Sequence, residues 1–114
     1  MTDARTDLLQ GTLEMLVLTT LTLEPMHGWG ISVRLRQLSG EVFDVQQGSL
    51  YPALQRMLRR GWIRAEWQAS DNNRRARYYQ ITHEGQRQLD MQRAEWAHSS
   101  GAVNRVLRFA FQGG

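Results

Sequence analysis

Three stretches of helical periodicity, then one alternating pair, leave this chain few folds to adopt. Leu9, Leu13, Leu16, Val17 and Leu21 recur at helical spacing and Pro25 ends the run, which predicts a first helix over 8–24. Ile31, Leu35 and Leu38 predict a second over 27–39, stopped by Gly40. Leu50, Leu54, Met57 and Leu58 predict a third over 47–60, stopped by Gly61, with Pro52 placed in its first turn, where a missing N–H costs nothing. The period then changes. Ile63, Ala65 and Trp67 alternate with polar residues, 69–76 is turn-rich, and Tyr79 and Ile81 resume the alternation. Thr82 is placed to cap a last helix over 83–109. There Leu89, Trp96, Val103 and Ala110 lie seven apart, the spacing of a seam for another helix, while Ser99, Ser100 and Gly101 predict a kink or fraying.

Charge gathers in one segment of this pattern. From Arg56 to Arg77 seven arginines face only Glu66 and Asp71, a net +5 in a chain whose total is +3. Every cation is arginine, whose planar fork suits phosphate and guanine. The turn pair Asn72-Asn73, followed by Arg74, Arg75, Arg77, Tyr78 and Tyr79, is poor core material and suits a finger laid on a polyanion.

The fold class is therefore mainly α with a two-stranded β-hairpin: a winged helix-turn-helix plus a long C-terminal dimerisation helix. In such folds the third helix enters the major groove of DNA and the wing tip lies on the backbone or in the minor groove. Residues 1–82 form the expected DNA-binding domain, with 1–7 a flexible arm. Residues 83–110 are the dimerisation helix of the same compact unit, and 111–114 a mobile tail. Candidate DNA contacts are Gln47, Ser49, Tyr51 and Pro52 at the start of the third helix, Arg56 one turn on, and Arg74, Arg75, Arg77 and Tyr78 on the wing. Each has a plainer alternative. The wing arginines can be a solvated turn, Tyr51 and Tyr78 can be packing residues, and Arg59 and Arg60 can serve the helix dipole.

A second stripe on helix one, Leu8, Met15 and Leu18 with Gly11, Thr12 and Thr19, makes that helix apolar on two sides. A partner subunit is the expected cover for the second. Trp96 sits on the seam of the last helix, as a dimer contact or as a flat wall for an aromatic effector, with Leu8, Met15 and Thr19 completing the pocket. Trp29, Trp62 and Trp67 read as core or boundary residues.

Other chemistries find little footing. Cysteine is absent, so disulfides, thiolate metal sites and cysteine nucleophiles are excluded, and a reducing cytoplasm near the nucleoid is compatible. His27, His83 and His98 have no companion ligands at metal spacing. Gly28-x-Gly30 lacks a third glycine and follows no predicted strand, so it is no phosphate loop. No enzyme, cofactor, metal or membrane role is expected; the apolar runs are too short to span a bilayer and the N-terminus is not a signal peptide.

The strings Gly48-Ser49-Leu50-Tyr51-Pro52-Ala53-Leu54, Arg60-Gly61-Trp62-Ile63 and Arg74-Arg75-Ala76-Arg77-Tyr78-Tyr79, with His27-Gly28-Trp29-Gly30-Ile31 before them and Ile81-Thr82 and Gly85 after, resemble the PadR family of bacterial transcriptional regulators. The resemblance covers roughly residues 8–98, and the single long C-terminal helix is similar to the family's small-member subgroup. It implies a homodimeric repressor of a double-stranded DNA operator, the last helix packing on the partner's N-terminal region. It also implies release by a small aromatic or drug-like effector. A winged-helix module that binds protein, and a constitutive DNA binder without effector, are the competing expectations.

Overall fold

The computed structural model describes residues 4–112, with side chains described for 12–111. Seven elements follow in order: α1 (Ala4–Leu23), β1 (Met26–His27), α2 (Gly28–Leu38), α3 (Gln47–Arg59), β2 (Ile63–Ala69), β3 (Arg75–Ile81) and α4 (His83–Gln112). Residues 4–7 are thus the first turn of α1 rather than part of an arm, and residues 1–3 lie outside the described residues.

The core is built around α1. Val17, Leu18 and Leu21 meet Ile31 and Leu35 of α2, Leu50, Ala53, Leu54 and Met57 of α3, Ile63 and Tyr79 of the sheet, and Leu89 of α4 in one buried cluster. Because α2, α3, β3 and α4 all pack on α1, Met15 and Leu18 of the second stripe are covered from within the chain, while Thr19 is exposed. This corrects the expectation for the second stripe: Leu18 is fully buried and Met15 is 8% exposed, so neither waits for a partner.

The sheet has three strands, in the order β1-β3-β2, all antiparallel. The expected two-stranded hairpin is present and gains β1, where Met26 pairs with Tyr79 and His27 with Tyr78. A two-residue strand has no periodicity to detect, and only its pairing partner defines it. The hairpin is also longer than expected, since Ala69 pairs with Arg75 and the turn shrinks to 70–74. Ser70 N donates to the Arg74 carbonyl (2.7 Å), Asn73 N donates to the Ser70 carbonyl (2.9 Å), and Asn73 takes the left-handed conformation (φ 63°) that asparagine tolerates well. Trp67, expected on the apolar face, is 59% exposed. From Glu66 on β2 is exposed, and the Arg75 guanidinium lies 5.7 Å from the Trp67 ring.

Two features of the helices differ from expectation. Pro52 is the sixth residue of α3, beyond the first turn, so the Gly48 carbonyl loses its N–H partner. The helix runs on through Pro52, and Gly48 and Pro52 are both on its exposed side, where a carbonyl without an N–H partner is open to solvent. In addition, α4 runs its 30 residues without a break at Gly101. Phe111 and Gln112 belong to it rather than to a tail, while 113–114 lie outside the described residues.

The start of α4 is locked to the wing. Thr82 Oγ1 accepts from Gly85 N (3.0 Å) as the cap and donates to the Gly61 carbonyl (2.6 Å), while Thr82 N donates to the Trp62 carbonyl (3.0 Å). Gly85 is buried, and a Cβ there would collide with the Trp62 carbonyl oxygen, so the close approach of helix to strand requires glycine.

Candidate nucleic-acid interface

Helix α3 divides its residues by burial. Leu50, Ala53, Leu54 and Met57 face the core, while Gly48, Ser49, Tyr51, Pro52, Gln55 and Arg59 are exposed. The hairpin β2–β3 stands beside that exposed face. Between them lies an open groove of ≈ 790 Å³, lined by Tyr51 and Gln55 of α3, Gly28 and Trp29 of α2, Trp67 of β2, and Arg74, Arg75 and Arg77 of the wing. The cations and aromatics gathered there derive from segments far apart in sequence.

The anticipated contact residues do not all share one environment. Ser49, Tyr51, Pro52, Arg74, Arg75 and Arg77 are exposed, and Tyr51 with the three arginines lines the groove. Tyr51 leans on α2, and a Cβ added at Gly28 would sit 3.6 Å from its hydroxyl oxygen. Gln47 is half-buried and its Nε2 donates to Ser32 Oγ (2.8 Å), a tie between α3 and α2. Tyr78 lies on the opposite side of β3 from Arg77 and Tyr79, against His27 in an edge-to-face contact (centroids 5.2 Å apart). Its ring packs against β1 and does not line the groove.

Arg56 is the clearest change of role. Its Nε donates to Glu14 Oε1 (3.0 Å), and Arg60 Nη1 donates to Glu14 Oε2 (3.2 Å). Glu14 is a nearly buried carboxylate on α1, and both of its oxygens meet guanidinium groups, of Arg56 on α3 and of Arg60 at that helix's C-terminal cap. Arg56 therefore anchors α3 to α1, and Arg60, which also lies 5.0 Å from the Trp62 ring, supports it. Sequence spacing places Arg56 on a helix but says nothing of a carboxylate arriving from another one.

On the wing, Arg77 lies 6.0 Å from the Tyr79 ring. Burial raises the Tyr79 phenol above its ordinary value, and this outweighs the opposite pull of Arg77. His27 caps α2, its Nδ1 accepting from Gly30 N at 3.0 Å, which requires the ring nitrogen to be unprotonated. Since His27 also pairs with Tyr78 through β1, one residue joins the start of α2 to the wing strand.

The groove residues outside the anticipated contacts include two tryptophans and a glutamine. Trp29 (69% exposed) and Trp67, expected in the core or at its boundary, line the groove, as does Gln55, which is not among the candidate contacts. Gln55 follows Tyr51 by four residues, a same-face spacing that was there to be read.

The anticipated effector residues are not brought together. Met15 is in the core, Thr19 is exposed with its Oγ1 donating to the Met15 carbonyl (2.8 Å), Trp96 is exposed on α4, and the Leu8 side chain lies outside the described residues. Neither the groove nor the ≈ 90 Å³ hollow behind the sheet includes Met15, Thr19 or Trp96.

A model of the transcriptional regulator PadR-like family matches residues 17–91. Among solved structures, a PadR-like transcriptional regulator from Bacillus cereus is 31% identical, with a TM-score of 0.77 over 90% of this chain and 97% of that one. A PadR family transcriptional regulator from Eggerthella lenta is also 31% identical, with a TM-score of 0.73, covering 89% of this chain and 86% of that one. A transcriptional regulator from Clostridium thermocellum is 25% identical with a TM-score of 0.79, covering 87% and 96%.

Proposed function

This chain belongs to the transcriptional regulator PadR-like family, DNA-binding regulators rather than enzymes, and we propose that it works as a homodimeric repressor released from its operator by a small aromatic or drug-like molecule. The observation that carries the DNA-reading part is the groove, where the exposed face of α3 and three wing arginines converge. The helix presents groups to base edges while the wing arginines hold phosphates.

The dimer reading draws on α4. Leu89 is buried at its base, but Trp96 (53% exposed), Val103 (55%), Val106 (67%) and Leu107 (49%) stand on the continuation of the helix, left exposed by the described residues. A solvated stripe of this length is costly, and a second α4 is the natural cover. The effector reading then requires the pocket to form only across two chains, with Trp96 as one wall.

Gel shift against the DNA upstream of its own gene tests the first part. Binding should collapse when Arg74, Arg75 and Arg77 all become alanine, and binding that persists overturns the wing assignment. Light scattering after size exclusion should report a dimer for the native chain and a monomer for Trp96→Glu combined with Val103→Glu. A panel of aromatic compounds should quench tryptophan fluorescence in the native protein and less in Trp96→Ala; no quenching by any compound favours a constitutive DNA binder.

A further inference from the structure

We infer that Gln55 is the base-reading side chain of α3, and that the base it selects is adenine. The inference rests on the DNA-reading assignment above and deepens it. It comes from eliminating the other polar groups on α3 and at its C-terminal cap. Arg56 and Arg60 are held by Glu14, and Gln47 is held by Ser32. Tyr51 has its hydroxyl against the N-terminus of α2. Ser49 is short, and Arg59 lies in the last turn of the helix and does not line the groove. Gln55 is exposed, lines the groove, and has no side-chain hydrogen bond among the described residues.

Its chemistry fits one ligand. A carboxamide offers an acceptor and a donor side by side, which matches the N6 donor and N7 acceptor that adenine presents in the major groove. The wing arginines cannot supply this selectivity, because phosphates are the same at every step. Gln55 also sits about 6 Å along the helix axis from Tyr51, close to two base-pair steps. Tyr51, packed on α2, sets the depth of the helix, and Gln55 reads the sequence.

The test is selection of bound duplexes from a random double-stranded library, run with the native chain, Gln55→Ala and Gln55→Glu. The native chain should enrich a motif with a required A·T pair in each half-site. Gln55→Ala should lose that preference by roughly tenfold to a hundredfold at that position alone, with the remaining positions and the salt dependence unchanged. Gln55→Glu should move the preference at the same position to cytosine, whose N4 amine donates to a carboxylate. A Gln55→Ala motif identical to the native one overturns the inference while leaving the DNA reading standing. A native chain that enriches no motif overturns both. Because Gln55 is exposed, both variants should melt with the native protein.

Discussion

Glu14 on α1 and Arg56 on α3 meet at 3.0 Å although 42 residues separate them in sequence. The carboxylate side chain is 10% exposed and the guanidinium 24%, so the pair is screened far less than a surface ion pair. It fixes how α3 sits against the central helix α1. Removing one partner leaves the other charge half-desolvated. Glu14→Ala should destabilise the fold by about 1–3 kcal/mol in urea unfolding. A double-mutant cycle with Arg56→Ala should show coupling between the two, whereas additive losses would mean the pair contributes no specific energy.

Gly85 and Gly101 should respond to alanine in opposite ways. At Gly85 the obstacle is the Trp62 backbone, which cannot rotate away, so Gly85→Ala should cost about 3 kcal/mol or more and lower the melting temperature sharply. At Gly101 the nearest atom to an added Cβ is the end of the Arg105 side chain at 3.8 Å. Gly101→Ala should therefore stabilise by about 0.5–1 kcal/mol. A loss at Gly101 would reveal a partner backbone crossing α4 there.

The wing should govern the salt dependence of DNA binding. Six phosphate contacts from two wings give a slope of log K against log salt of roughly −5. The alanine triple variant at Arg74, Arg75 and Arg77 should flatten that slope to near zero, measured by fluorescence anisotropy across a salt series. A slope that stays steep would place the phosphate contacts elsewhere.

Trp67→Ala should weaken DNA binding several-fold with little change in melting temperature. Its ring is mostly solvent-exposed, so little burial energy is lost. What disappears is the surface holding the Arg75 guanidinium, a cation–π contact worth about 0.5–1 kcal/mol at an exposed site. A large drop in melting temperature would show that Trp67 belongs to the folding core after all.

Alkaline unfolding should report Tyr79. Burial raises its phenol above 10.0, so the neutral form is favoured by the fold. Its contribution is fully present below the unfolded value and is lost as pH rises through the folded one. Stability should therefore fall above about pH 10, and Tyr79→Phe should show a shallower decline. Identical alkaline curves would exclude Tyr79 as the source.

Much of the framework was legible in local pattern. Leu50, Leu54 and Met57 repeat every three to four residues, and that spacing alone puts them on one face of a helix and leaves Tyr51 and Gln55 on the other. Thr82 announced the start of α4 because a cap acts through atoms three residues away, Gly85 N in this case. The basic wing was visible because its turn residues and arginines are contiguous.

What the chain determined by itself was the sequence of helices and strands, the placement of charge on the hairpin, and the motifs that mark the family. The tertiary structure alone decided which polar groups remain available to DNA. Arg56 became an internal anchor because Glu14 reaches it from another helix. Met15 became core because four elements converge on α1, and β1 became a strand because Tyr78 and Tyr79 came alongside it. Periodicity acts over one helical turn or one pleat, whereas burial and ion pairing depend on segments tens of residues apart, and those meet only once the chain has folded.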